Sequence, residues 1–237
     1  GTGGERRALE ILAGYLDRLK VPHRTESFEF AGFDTGSAVL EAGNESFEVH
    51  PYGLEKSRTL EGQLVFLENA DLLAYNRGAC KGKIVLSYTS SQRLPPLLAE
   101  GGVKAHVAIS PPHKGSFSLS HRQKIYADRK AVPSVTISYD DAERLLRARP
   151  ERVRIRIRQK VEARRARNLV ATIGEPRRDS TLTYLVAHYD TVSRSHGAVD
   201  NAGGTVCLLE AAEHFASRPP ERELRIVFFS GEELGLL

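Results

Sequence analysis

The chain has 237 residues, of which 41% are hydrophobic and 27% charged, with a formal net charge of +4. That supply of apolar residues suffices for one large core or two small ones, and the charged fraction is ordinary for a globular protein. Two cysteines, Cys80 and Cys207, exclude a disulfide framework, and no apolar run approaches a membrane span.

The first residues are Gly1-Thr2-Gly3-Gly4 and the chain contains no methionine, so the native N-terminus is expected upstream and the lack of a visible signal peptide carries little weight. From Glu5 to Lys20, Ala8, Leu9, Leu12, Leu16 and Leu19 recur at spacings of three and four, which predicts an amphipathic helix. A short strand is expected over Ser27 to Phe30. Ala38 to Leu40 and Ser46 to Val49 flank Gly43-Asn44, a hairpin signal.

A middle region follows with its own pattern. Strands are expected at Gln63 to Leu67, Lys83 to Tyr88, Ala105 to Ser110 and Val135 to Ser138, and a short helix from Leu97 to Gly101. Pro111 to Lys130 lacks periodicity and reads as an exposed loop. Asp140, with Glu143 three residues on, is the expected N-cap of a helix. Val153, Ile155 and Ile157 then alternate with Arg152, Arg154, Arg156 and Arg158, the period of a strand with one solvated face. No aromatic residues interleave with these arginines and no recognition motif accompanies them, so nucleic acid is not the expected partner.

The last part changes character. Asn168 to Ile173 is an expected strand and Glu175 to Ser180 a turn. Leu182 to Ala187 and Leu224 to Phe229 are apolar without alternation, as in strands buried on both faces. Gly203 to Ala216 reads as a helix. Strands alternating with helices imply an α/β sheet covered on both faces, and sites in such sheets form at the carboxyl ends of strands.

His188 and Asp190 follow the first of these strands, Glu232 and Glu233 the second, and Asp200 stands just before the helix. Each cluster has a plainer reading taken singly: a surface His–Asp pair, a solvated helix start, an N-cap. Together, in this order and at strand ends, they form a zinc ligand set of imidazole and carboxylates. His188 would bind directly, and Asp190 would accept its other ring N–H. Asp200 would bridge two metals and Glu233 would hold the second. Glu232 would stay free as general base. His196 is either a site-lining or an exposed loop residue. His23, His50, His106, His113, His121 and His214 have no metal-like partners at sensible spacing.

Asn168-Leu169-Val170-Ala171, Ala187-His188-Tyr189-Asp190-Thr191-Val192, Gly197-Ala198-Val199-Asp200-Asn201-Ala202-Gly203-Gly204 and Phe228-Phe229-Ser230-Gly231-Glu232-Glu233-Leu234-Gly235 resemble the M28 family of zinc aminopeptidases. The related M20 peptidases also carry a His-X-Asp, but the surround of Asp200 fits M28 better. Gly82-Lys83-Ile84-Val85-Leu86 and Val132-Pro133-Ser134-Val135-Thr136-Ile137 resemble the protease-associated (PA) domain often inserted in these enzymes. The resemblance implies a zinc-exopeptidase-like mixed sheet flanked by helices, incomplete, with an inserted mainly-β PA-like domain. Residues 1–35 and 163–237 would supply the peptidase part and 36–162 the insert. It implies two zinc ions held by His188, Asp200 and Glu233, with Glu232 as base, Asp190 behind His188, and a non-proline cis bond at Asp200-Asn201. The family's two further ligands, an Asp and a His, lie downstream of the Glu pair, so truncation at Leu237 is expected.

The implied activity is a di-zinc exopeptidase, an aminopeptidase acting on peptides, with this stretch alone weakly active or inactive. The ligand set leaves carboxypeptidase and dipeptidase open. The competing reading is a non-catalytic binding protein with a vestigial peptidase fold and a PA-like module.

Overall fold

The computed structural model describes residues 2–33, 36–51, 55–68, 76, 78–88, 94–112, 132–175, 182–192 and 195–237. The expected loop from Pro111 to Lys130, with His113 and His121, and the turn before Ser180 lie almost wholly outside them. The chain divides into two units, Gly1–Gly32 with Ala163–Leu237, and Phe33–Glu162.

In the first unit, helix α1 spans Gly3–Arg18 and strand β1 spans His23–Phe33. The Thr2 hydroxyl accepts the Glu5 N–H at 3.0 Å, satisfying one of the helix's orphan donors. Leu9, Leu12 and Leu16 form the buried face of α1, with Leu16 fully enclosed, and each such leucine contributes about 2 kcal/mol.

The second unit is a closed barrel. Its strands are β2 (Ser37–Ala42), β3 (Glu45–Pro51), β4 (Arg58–Leu67), β5 (Ile84–Tyr88), β6 (Ala105–Ile109), β7 (Ser134–Ile137) and β8 (Arg152–Arg158), in the order β2-β3-β7-β6-β5-β4-β8. Gly43 and Asn44 form a two-residue turn that pairs Ala42 with Glu45. Helices α2 (Leu94–Glu100) and α3 (Tyr139–Ala148) belong to the same unit. Ser138, not Asp140, caps α3. Its hydroxyl accepts the Asp141 N–H at 3.1 Å because the helix starts at Tyr139, two residues earlier than the expected cap allows. On β8 the three apolar residues point inward and the arginines outward. Arg154 pairs with Glu61 at 3.1 Å and Arg156 with Glu41, so the basic row is a solvated strand face partly neutralised by its neighbours.

The chain then returns to the first unit. Strand β9 (Val161–Ile173), β10 (Thr183–His188), an irregular helical turn over Ala198–Gly203, helix α4 (Gly204–Ser217) and β11 (Leu224–Phe229) complete it. The sheet order is β1-β9-β11-β10, with β11 antiparallel to β9 and parallel to β10. This is a mixed α/β fold. Strand β11 is central and buried as expected, but β10 is not. It lies at the edge of the described sheet, and Tyr184 and Val186 are 51% and 54% exposed. Successive strand residues face opposite sides. Leu185 and Ala187 join Leu169, Ala171, Ile226 and Phe228 in the core against α1 and α4, whereas Tyr184 and Val186 face the other way. Among the described residues both helices serve that one face, so the expected cover on both faces is absent. An apolar run records a preference for burial; it does not record how many layers surround it.

Two buried groups of the barrel respond to pH in opposite senses. Burial pushes the His106 imidazole down from 6.5 to about 4, and its Nε2 lies 2.9 Å from Ser87 Oγ. Burial also pushes the Glu55 carboxyl up from 4.5 to about 7, against the opposing pull of the Ser134 N–H at 2.8 Å and of Arg58. Their effects on stability oppose each other. The unfolded chain binds a proton at His106 below about 6.5 that the folded barrel refuses until about 4, so this contribution is lost as pH falls through that window. The folded barrel keeps a proton on Glu55 that the unfolded chain releases above 4.5, so that contribution is full at low pH and is lost as pH rises towards about 7. Glu55→Gln removes the second slope and exposes the first. On acidification across the shared window its urea stability should fall more than that of the wild type, by an amount on the order of 2 kcal/mol. Parallel curves for the two proteins would show that Glu55 is ionised throughout.

Candidate metal centre

The parallel pairing of β10 with β11 sets His188 opposite Phe229, and the ladder continues as the Tyr189 N–H donates to the Phe229 carbonyl at 2.9 Å. The loops after both strands therefore leave from one sheet edge. At Gly231 the chain takes φ +86°, in the left-handed region that favours glycine. A Cβ there would also lie 3.2 Å from Leu237 Cβ and 3.3 Å from Phe28 Cζ. The turn carries the chain from β11 into Glu232 and Glu233. Gly197 has a similar role before Asp200. Its φ is +63°, and a Cβ would stand 2.7 Å from Thr191 Oγ1.

Asp200 sits in the irregular turn, where its own backbone and that of Asn201 leave the helical region and the peptide bond between them is cis, as the resemblance implied. Asn201 does the capping. Its Oδ1 accepts the Gly204 N–H at 3.0 Å, which leaves the Asp200 carboxylate out of the helix start, largely exposed, with Oδ1 3.1 Å from His188 Nε2. Glu232 Oε2 is 3.9 Å from the same nitrogen. His188, Glu232 and Glu233 each offer a ligand atom, all within 4.8 Å of one another. The sequence reading groups His188 and Glu233 with Asp200 and sets Glu232 apart. The structure gathers all four, with Glu232 inside the tightest group and Asp200 reached through His188.

Asp190 is placed differently from its expected position. The ring Nδ1 of His188 meets the main-chain carbonyl of Asp190 at 3.1 Å, while the Asp190 carboxylate is 3.6 Å away. A carbonyl only accepts, so Nδ1 donates in that contact, and Nε2 is the ring nitrogen turned toward the carboxylates. The Asp190 carboxylate instead accepts the N–H of Glu232 at 3.3 Å and of Glu233 at 3.2 Å. It thus fixes the loop that carries both glutamates. Burial, then the charges of Asp200 and Glu232, push the Glu233 carboxyl above its usual range. Such a cluster repels itself and favours a cation in its midst.

Behind these residues lies a network with no signal in the sequence. The Tyr189 hydroxyl is 2.9 Å from Glu5 Oε1 and 2.7 Å from the Arg167 carbonyl. Burial, then the Glu5 charge, push this phenol up, so it stays a donor. Ser230 donates its N–H to Asn168 Oδ1 at 3.0 Å. His196 is exposed, and His50 and His106 are buried in the barrel.

Residues 168–237 match the sequence profile of Peptidase family M28. Aminopeptidase YwaD of Bacillus subtilis is 26% identical over all of this chain and 52% of its own length. Carboxypeptidase Q of Xenopus laevis is 25% identical over 93% of this chain and 50% of its own length. The chain therefore spans about half the length of these curated relatives. Among solved structures, that of BSAP, a zinc aminopeptidase from Bacillus subtilis, superposes with a TM-score of 0.72 at 22% identity, covering 98% of this chain and 57% of that one. At that identity the likeness speaks for the fold.

The geometry predicts that Asp190→Ala frees the backbone of the glutamate loop. Hydrogen exchange at the Glu232 and Glu233 amides should accelerate about tenfold or more, the loss of hydrogen bonds to a charged acceptor, while exchange along β11 stays as it was. Unchanged protection at both amides would show that the carboxylate does not hold them.

Proposed function

We propose that this chain, whose residues 168–237 match the profile of Peptidase family M28, is the part of a di-zinc exopeptidase that binds the metals and carries the general base, and that the whole protein is an aminopeptidase. The observation that carries this is the meeting of His188 Nε2 with Asp200 Oδ1 at 3.1 Å, beside Glu232 and Glu233, at the shared end of β10 and β11. Zinc–ligand bonds of about 2 Å set neighbouring tetrahedral donors a little over 3 Å apart, so this pair already has the spacing of two ligands on one ion. The mutual repulsion that raises Glu233 is the kind that bound cations relieve. The residues present fit the metal.

His188 would hold one ion, Glu233 the other, and Asp200, with two oxygens and a largely exposed side chain, would bridge them. Bound there, zinc supplies a Lewis acid for the scissile carbonyl and lowers the pKa of water. Glu232 takes the proton of the attacking water as the new C–O bond forms, and returns it to the amine as the C–N bond breaks. Asp190 keeps Glu232 and Glu233 aimed through their backbone N–H groups. The product is a free amino acid and a peptide shortened by one residue. We read Phe33–Glu162, the closed barrel, as a PA-like domain inserted between β1 and β9. Peptides are the substrate class that the named relatives support.

Glu232→Gln in the complete protein keeps the shape of the side chain and removes its basicity. Hydrolysis of an aminoacyl p-nitroanilide should fall 10²–10⁴-fold while zinc content by atomic absorption stays at the wild-type level. Turnover within a few-fold of wild type would sink the assignment. An N-acetylated substrate cleaved as fast as the free amine would replace the aminopeptidase reading with another exopeptidase or an endopeptidase. A wild type that binds zinc but cleaves nothing would favour a vestigial site.

A further inference from the structure

We propose that Glu5, at the start of α1 and far in sequence from the metal centre, is a positioning residue for that centre. Its carboxylate ties together the segments that carry His188 and the Glu232–Glu233 pair. The proposal rests on the metal-site reading given above.

A single oxygen does this. Glu5 Oε1 lies 2.9 Å from the Tyr189 hydroxyl, 3.3 Å from the Ser230 hydroxyl and 3.2 Å from the Arg167 main-chain N–H. These partners come from three different places: the loop after β10, the loop after β11, and β9. Tyr189 stands between His188 and Asp190, and Ser230 stands two residues before Glu232. Any displacement of Glu5 therefore reaches both ligand-bearing loops at once. A carboxylate oxygen can accept several donors at once. Ser230 is 3% exposed, and its backbone N–H is held by Asn168, so the β11 loop is pinned from two sides. The base of the clamp is firm as well. Glu5 is in the first turn of α1, its own N–H is capped by Thr2, and the next turns bury Leu9 and Leu12 in the core.

A residue that only anchored the helix would lower stability and leave the folded site unchanged. A residue that sets ligand spacing changes what the folded protein does with a metal. Groups that orient metal ligands typically contribute 10–100-fold to metal affinity.

The test uses the complete protein and zinc alone. Affinity is measured by chelator competition, and the absorption spectrum after cobalt substitution reports on site geometry. Wild type, Glu5→Ala, Glu5→Gln and His188→Ala are compared, with the urea midpoint of each metal-free protein recorded separately. Glu5→Ala should bind zinc 10–100-fold more weakly with an altered cobalt spectrum, and Glu5→Gln, which keeps an acceptor oxygen in place, should recover part of the affinity. If Glu5→Ala does not fold, Glu5→Gln and Ser230→Ala carry the test, each expected to weaken zinc binding several-fold. Zinc affinity and cobalt spectrum equal to wild type in the folded variants, whatever their urea midpoints, would overturn the proposal and leave Glu5 a helix anchor. Zinc binding that His188→Ala leaves intact would overturn the metal-site reading itself, and the Glu5 proposal with it.

Discussion

The candidate site depends on two strands running the same way. Because β10 and β11 are parallel and in register from Thr183 with Leu224 to His188 with Phe229, their carboxyl ends fall on one edge. An antiparallel pair would send His188 and the glutamates to opposite ends of the sheet. Parallel strands need a crossover between them, and here the crossover is itself part of the site. The connection from His188 to Leu224 contains Asp200 in its irregular turn and then α4, whose Thr205 hydroxyl donates to the His188 carbonyl at 3.2 Å. One topological choice thus brings together three segments of chain.

What the topology assembles is electrostatically costly. Carboxylates at 200, 232 and 233 share a small space, and Glu233 shows the strain as a raised pKa whose first cause is burial. The surrounding structure resists the resulting tendency to splay. The Asp190 carboxylate holds the backbone of the glutamate loop, Asn168 holds Ser230, and the Asp190 carbonyl orients the imidazole. Backbone groups do much of this holding, and side-chain ligands aimed by fixed backbone lose little freedom when a cation arrives.

Much of the fold was legible because its signals are local. The heptad-like leucines of α1, the Gly43-Asn44 turn, the alternation on β8 and the apolar run of β11 each depend on neighbours in sequence. The identities of the site residues were legible for a related reason: each follows directly on a strand end or a glycine turn. Their detailed contacts were not. Whether the Asp190 carboxylate serves His188 or the glutamate loop depends on a partner more than forty residues away, and Glu5 reaches Tyr189 across 184. The capping of α3 by Ser138 was missed by a shift in where the helix begins. The exposure of β10 was missed because a run such as Leu185-Val186-Ala187 has the same composition at an edge as in the middle of a sheet.

That exposed strand has a further consequence. Among the described residues β10 pairs along one side only, with β11, and carries the exposed apolar side chains of Tyr184 and Val186. Such an edge is a template for strand addition, by another segment or another copy, and native proteins usually guard it with charge or cover. The segment that carries His188 therefore forms one of the two edges of the described sheet, the other being β1. The chemistry of the centre and an edge of the described sheet meet on the same six residues, Thr183–His188.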